Sequence, residues 1–155
     1  MRDALSVLDW CDAVQADLLR ESRLAAAGAQ PVGVVSLCEQ VASHVATAEQ
    51  PVIVTGWCAN PWWGSAVALA ELVRCGLGLL AERTQGVGAR SVEVSATDGV
   101  LQLVLTSLGE PGDGVDAASV RRFRQAVADV GATVRPDGMG PGGASMVIEV
   151  PVSPS

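Results

Sequence analysis

The stretch Ala68-Leu-Ala-Glu-Leu-Val-Arg-Cys-Gly-Leu-Gly-Leu-Leu80 decides how the chain is read. Leu69, Leu72, Val73, Gly76 and Leu80 recur at helical spacing and make one apolar stripe. Glu71 and Cys75, four apart, share a second face. The spacing predicts a core helix ending near Thr84, followed by the loop Gln85-Gly-Val-Gly-Ala89. Two alternating runs follow, Ser91–Ala96 and Val100–Thr106, joined at Thr97-Asp-Gly99; Asp-Gly between such runs signals a hairpin. Ser107 to Ala118 reads as a glycine- and acid-rich loop. Val120, Phe123, Val127 and Val130 stripe a last helix, and Thr133–Arg135 and Ser145–Pro151 read as closing strands around a loop at 136–143.

Upstream, Asp3 to Ala27 reads as one helix. Ala4, Val7, Cys11, Val14 and Leu18 recur at 3-4-3-4 spacing, a short coiled-coil seam. Such a helix either folds back on its own domain or pairs with a second helix in a bundle. Gly28 to Pro31 is a helix stop and turn. Val35 to Ala48 reads as a helix with Ser36 as N-cap and Glu39 three residues on. His44, the single histidine, lies on it and is read as structural. Pro51–Gly56 is a short strand. Asn60 reads as a helix cap with Pro61 at the first helical position, which puts Trp62 and Trp63 at a helix start. With Trp57 they form a dense aromatic group that either plugs the domain or anchors a partner.

Composition narrows the classes. A chain of 155 residues makes one domain with at most an appended element. Aromatics are 3% of residues, so the core is aliphatic. Net charge is −7 and every base is Arg, with Arg121, Arg122 and Arg124 the one cluster. That is a poor footprint for nucleic acid. Cys11, Cys38, Cys58 and Cys75 lack metal-ligand spacing, and no metal site is expected. Acidic residues near the start argue against a signal peptide, and no run approaches the ~20 apolar residues of a membrane span. A soluble, cytoplasmic protein is expected.

The order of elements around Glu71 and Cys75 resembles the ATP-binding domain of sensor histidine kinases, the GHKL or Bergerat fold. Asp17-Leu-Leu-Arg-Glu-Ser-Arg-Leu-Ala-Ala-Ala-Gly28, continuing into Pro31-Val-Gly-Val-Val-Ser-Leu-Cys38, looks like the end of that family's second dimerisation helix and the start of its ATPase domain. Gly131 to Pro151 is similar to the family's glycine-rich closing strands. The resemblance implies an α/β (α+β sandwich) fold, a mixed sheet with helices on one face. It places an N-terminal dimerisation-type helix at 1–28 and an ATPase-like domain at 31–152.

In that family three local devices hold the nucleotide. The central helix carries Glu-x-x-x-Asn, whose Asn holds Mg²⁺; here the Glu is Glu71 and the Asn position is Cys75. Mg²⁺ prefers hard oxygen, so a soft sulfur removes the metal's protein ligand. An Asp-x-Gly-x-Gly turn binds adenine; the match is Ser107-Leu-Gly-Glu-Pro111, with Ser107 for the Asp, Gly109 kept and Pro111 for a Gly, while Gly112 and Gly114 keep glycines in a shifted frame without the Asp. A Gly-rich turn at the last helix holds phosphates; Gly114-Val-Asp-Ala117 stands there, with Asp116 where a phosphate oxygen would approach. A unit charge at ~5 Å and an effective dielectric of ~20 repels by ~3 kcal/mol per phosphate charge. Asp116 suits the helix dipole as an internal cap.

The resemblance and these departures together imply a degenerate, non-catalytic module of two-component-type signalling, a pseudokinase that binds no cofactor. It would be a homodimer through Val7, Cys11, Val14 and Leu18 and would dock a response regulator or kinase-like protein, with Trp57, Trp62 and Trp63 as candidate anchors. The alternatives are the ATP-binding part of a divergent histidine kinase, which would use ATP and Mg²⁺, and a phosphotransfer protein with a decayed ATPase domain.

Overall fold

The computed structural model describes residues 30–151 except 49, 59, 60, 86, 87, 98, 112–114, 141 and 142. The predicted N-terminal helix and its seam residues Val7, Cys11, Val14 and Leu18 lie outside the described residues.

A five-stranded sheet carries the fold. Its strands are β2 (Val52–Gly56), β5 (Arg90–Thr97), β6 (Val100–Leu108), β8 (Thr133–Gly140) and β9 (Gly143–Pro151), in the order β2-β5-β6-β9-β8. β2 runs parallel to β5, and the other pairs are antiparallel. The β5–β6 hairpin turns at Gly99, whose φ of 77° is the left-handed value that the Asp-Gly signal predicts. Alternation along β6 buries Leu101, Leu103 and Leu105, opposite Val150, Ile148 and Met146 of β9. Those side chains form the floor of the core.

Among the described residues, three helices cover that face: α1 (Val34–Val45), α2 (Ala66–Arg83) and α3 (Ala117–Val130). The mixed sheet with helices on one face is the predicted architecture. In α2 the expected stripe Leu69, Leu72, Val73, Gly76 and Leu80 is buried, joined by Leu77 and Leu79. Each such Leu contributes about 1.5–3 kcal/mol relative to exposure. Gly76 lets the helix sit close: a Cβ there would come within 2.6 Å of Leu105 Cδ1 and 3.3 Å of Phe123 Cε1. α2 is capped by Ser65, whose Oγ accepts from the Ala68 amide at 3.1 Å. α3 ends at Gly131 in the left-handed conformation, with φ 74°.

Several local expectations are corrected. α1 begins one residue earlier than predicted and ends at Val45; its N-cap is Gly33, with no side-chain cap, so Ser36 lies inside the first turn. His44 is exposed on α1, its Nδ1 2.8 Å from the Gln40 carbonyl. Pro31, expected in a turn, belongs to β1 (Gln30–Val32), which pairs with β3 (Trp62–Gly64). Trp62 and Trp63 therefore sit in a strand rather than at a helix start, because pairing with a distant segment overrides the local Asn-Pro signal. Thr84–Gln85, at the predicted start of a loop, forms a two-residue strand β4 against β7 (Glu110–Pro111). β8 and β9 run on to Gly140 and Gly143 through most of the predicted 136–143 loop, with a register shift between Pro136 and Gly138.

One buried cation ties the layers together. Arg90, at the start of β5, is 5% exposed; its Nη2 donates to the Val45 carbonyl at 2.9 Å, at the C-terminal end of α1.

Candidate functional site

The candidate site is built where α2, the end of β6 and the start of α3 meet. On α2, Glu71 and Cys75 are one turn apart, as predicted. The Glu71 carboxylate accepts from Arg74 Nε at 3.0 Å, from Arg74 Nη2, and from Cys75 Sγ at 3.2 Å. The Arg74 guanidinium, then the Cys75 thiol, hold Glu71 below the usual carboxylate range. Burial first, then the Glu71 carboxylate, pushes the Cys75 thiol up. Cys75 is thus a protonated donor at neutral pH. A protonated thiol whose hydrogen already goes to a carboxylate does not fit Mg²⁺.

Ser107 is not in a loop. It is the penultimate residue of β6, 1% exposed, opposite Arg90 on one side and Ala144 on the other. Its Oγ lies 2.8 Å from Thr84 Oγ1, and Thr84 Oγ1 donates to the Leu80 carbonyl at 3.0 Å. Thr84 has one hydroxyl proton, and the carbonyl can only accept, so Ser107 donates to Thr84. The hydroxyl keeps lone pairs that can accept, but it is held against Thr84 in the interior. Beyond Ser107 the chain turns at Gly109, with φ 138°, and crosses Thr84–Gln85 as β7.

Asp116 is the N-cap of α3, as predicted: Oδ1 accepts from the Ala118 amide at 3.3 Å. Its own amide donates to Glu82 Oε1 at 3.2 Å. Two amides at this helix start, those of Asp116 and Ala118, are thus met by carboxylates of the same chain. Gly112 and Gly114 lie outside the described residues.

A cavity of about 110 Å³ lies between α2 and α3, with Cys75, Gly78, Glu82, Ser119 and Arg122 among its walls. Sites for ligands of drug size run from roughly 300 Å³ upward. The cavity brings Cys75 and Glu82 together, while Ser107 is turned away into the core. Arg122, one of the arginine cluster on the last helix, lines this cavity, and its charge favours ionised Glu71. Sequence reasoning missed Arg74, Thr84 and Glu82. The i, i+3 spacing of Glu71 and Arg74 was a usable signal; Thr84 and Glu82 gain their roles through contacts distant in sequence.

The tryptophans separate. Trp62 is 5% exposed; its ring lies over Gly64, where a Cβ would be 2.0 Å from the ring, and its Nε1 donates to the Pro151 carbonyl at 2.8 Å. It is core, which corrects its candidacy as a partner anchor. Trp63 points the other way from the strand and is half-buried. Trp57 is 75% exposed just past β2. Among the described residues no helix is long and apolar enough to cross a membrane, and no three His, Cys, Asp or Glu side chains gather as for a metal.

No protein-family model matches the chain, and no curated protein sequence does. Solved structures do. The mycobacterial sensor histidine kinase MprB superposes with a TM-score of 0.62 at 20% identity, covering 81% of this chain and 99% of that one. The chain has the histidine kinase ATPase fold. The same fold is seen in the Acinetobacter baumannii histidine kinase AdeS, with a TM-score of 0.63 at 10% identity over 94% of this chain and 80% of that one. Full-length ShkA in complex with AMPPNP gives 0.69 at 20% identity over 90% of this chain, which spans 35% of that protein. Glu71 and Cys75 lie on the central helix and Asp116 at the start of the last helix, whereas Ser107, expected in a turn after the hairpin, lies in the hairpin's second strand.

Proposed function

We propose that this chain is a non-catalytic histidine kinase-like module that acts by protein–protein contact in two-component-type signal transduction. The observation that carries the reading is internal satisfaction of the nucleotide positions. Cys75 gives its proton to Glu71, Ser107 to Thr84, and the Asp116 amide to Glu82. Mg²⁺ at Cys75 or phosphate at the Asp116 amide would have to displace the bonds to Glu71 and Glu82, and phosphate would be brought toward Glu82 and Asp116. The partner would be a response regulator or a kinase-like protein, by analogy with the sensor kinases that share the fold. A 1–28 dimerisation helix joined to a 31–152 domain, and a cytoplasmic location, complete the proposal.

Isothermal titration with ATP and Mg²⁺ tests it. The expected result is no saturable binding; a Kd at or below ~100 μM, about −5.5 kcal/mol, would overturn the reading in favour of the ATP-binding part of a divergent histidine kinase.

A further inference from the structure

A second, larger cavity lies on the other side of Leu79. Its volume is about 290 Å³, and Leu79 is the one residue it shares with the small polar cavity. Phe123 and Val127 of α3, Val134 of β8 and Met146 of β9 line it, and none of Glu71, Cys75, Ser107, Gly109 or Asp116 does. The residues that line it are apolar except for Arg83 at the end of α2 and Arg124 on α3. Among the described residues neither arginine has a hydrogen-bond or ion-pair partner. In a chain of net charge −7, two cations left without carboxylates at one apolar opening are a charge awaiting a complement.

We propose that this cavity is a binding site for a small amphipathic monoanion, an apolar body with one carboxylate. Size follows from volume. A 150 Å³ apolar cavity takes benzene, so about 290 Å³ takes roughly twelve non-hydrogen atoms. That is a medium-chain acyl group or a fused bicycle. The apolar body rests on Phe123, Val127, Val134 and Met146, while the carboxylate at the opening meets Arg83 and Arg124. A polyanion such as ATP matches neither the apolar lining nor the volume. The site lies between the C-terminal half of α2 and α3, so an occupant would touch two helices and the sheet at once.

The test is amide NMR of the full chain titrated with sodium octanoate and, separately, 1-octanol. Octanoate should move resonances of residues 120–127, 134 and 146 with a Kd of roughly 0.1–1 mM. Octanol should bind about tenfold more weakly, and Arg83→Gln/Arg124→Gln should abolish the difference. Val127→Phe, which fills the cavity, should weaken both probes. The proposal is overturned if the shifts scatter over the surface or fail to saturate. It is equally overturned if the two probes bind the wild type alike, or if the arginine pair leaves octanoate binding unchanged.

Discussion

Ser107 Oγ and Thr84 Oγ1 lie 2.8 Å apart at the buried junction of β6 and the end of α2. Removing one partner leaves the other to the remaining carbonyl. Ser107→Ala is therefore expected to cost about 1–2 kcal/mol, the scale of a buried neutral hydrogen bond. Ser107→Asp should cost more, because it takes a carboxylate out of water while the Arg90 guanidinium opposite it is already held by the Val45 and Gln50 carbonyls. Urea unfolding of the two variants checks the order. A Ser107→Asp variant as stable as wild type would show that the junction takes a carboxylate, paired with Arg90, and is not closed by the Ser107–Thr84 bond.

Cys38 gives a pH signature. It is fully buried on α1, and burial first, with the Glu39 charge second, pushes its thiol from 9.0 up to about 12. The folded state holds this proton more tightly than the unfolded chain. The resulting stability is whole below the unfolded value near 9 and drains away as pH rises toward about 12. The slope is at most about 1.4 kcal/mol per pH unit in that window. Cys38→Ala lacks the group. The stability gap between wild type and Cys38→Ala should be constant from about pH 7 to 8.5 and narrow above pH 9. A gap unchanged at about pH 10.5 refutes the assignment.

Much of this arrangement is legible in the sequence where structure is local. The stripe from Leu69 to Leu80 falls on one face because a long buried helix repeats its contacts every turn. The Asp-Gly hairpin and the Asp116 cap are equally local: a positive φ at Gly99 and a carboxylate two residues before an amide. Non-local pairing hides the rest. Pro61 followed by Trp62 looks like a helix start, yet Val32 pairs with Trp62 and makes a strand of it. Ser107 precedes a run of glycines and acids, and only Thr84, 23 residues earlier, shows that it is interior. Glu82 reads as a surface acid until the start of α3 is brought to it.

The seam Val7, Cys11, Val14 and Leu18 predicts a homodimer of the full chain. Val14→Asp would place a charge in the middle of that seam, where desolvation without a partner costs several kcal/mol, about 3–5 for a broken buried pair. Light scattering at roughly 50 μM, a concentration at which a Kd of ~1 μM gives mostly dimer, should return twice the 15.8 kDa chain mass for wild type and one chain for Val14→Asp. A monomeric wild type refutes the seam.

The tryptophans supply the sharpest separation between stability and binding. Trp62 fills the slot over Gly64 and donates to Pro151, so it latches the β1–β3 ribbon to the end of β9. Trp62→Ala should cost about 3–5 kcal/mol, through both the cavity and the unpaired carbonyl. Trp57 stands 75% exposed, with its amide bonded to the Val94 carbonyl at 3.0 Å, so its backbone is fixed while its ring faces water. A ring held out from a fixed backbone loses little entropy when it is covered, which suits it to anchor a partner. Trp57→Ala should leave the melting temperature within about 2 °C, since surface truncations cost under about 0.5 kcal/mol. The same change should weaken response-regulator or kinase binding by about 2 kcal/mol, some thirtyfold in Kd. Thermal melting and titration of each variant against the bound partner check both halves. If Trp57→Ala binds as wild type does, the docking surface lies elsewhere and the exposed ring has no part in it.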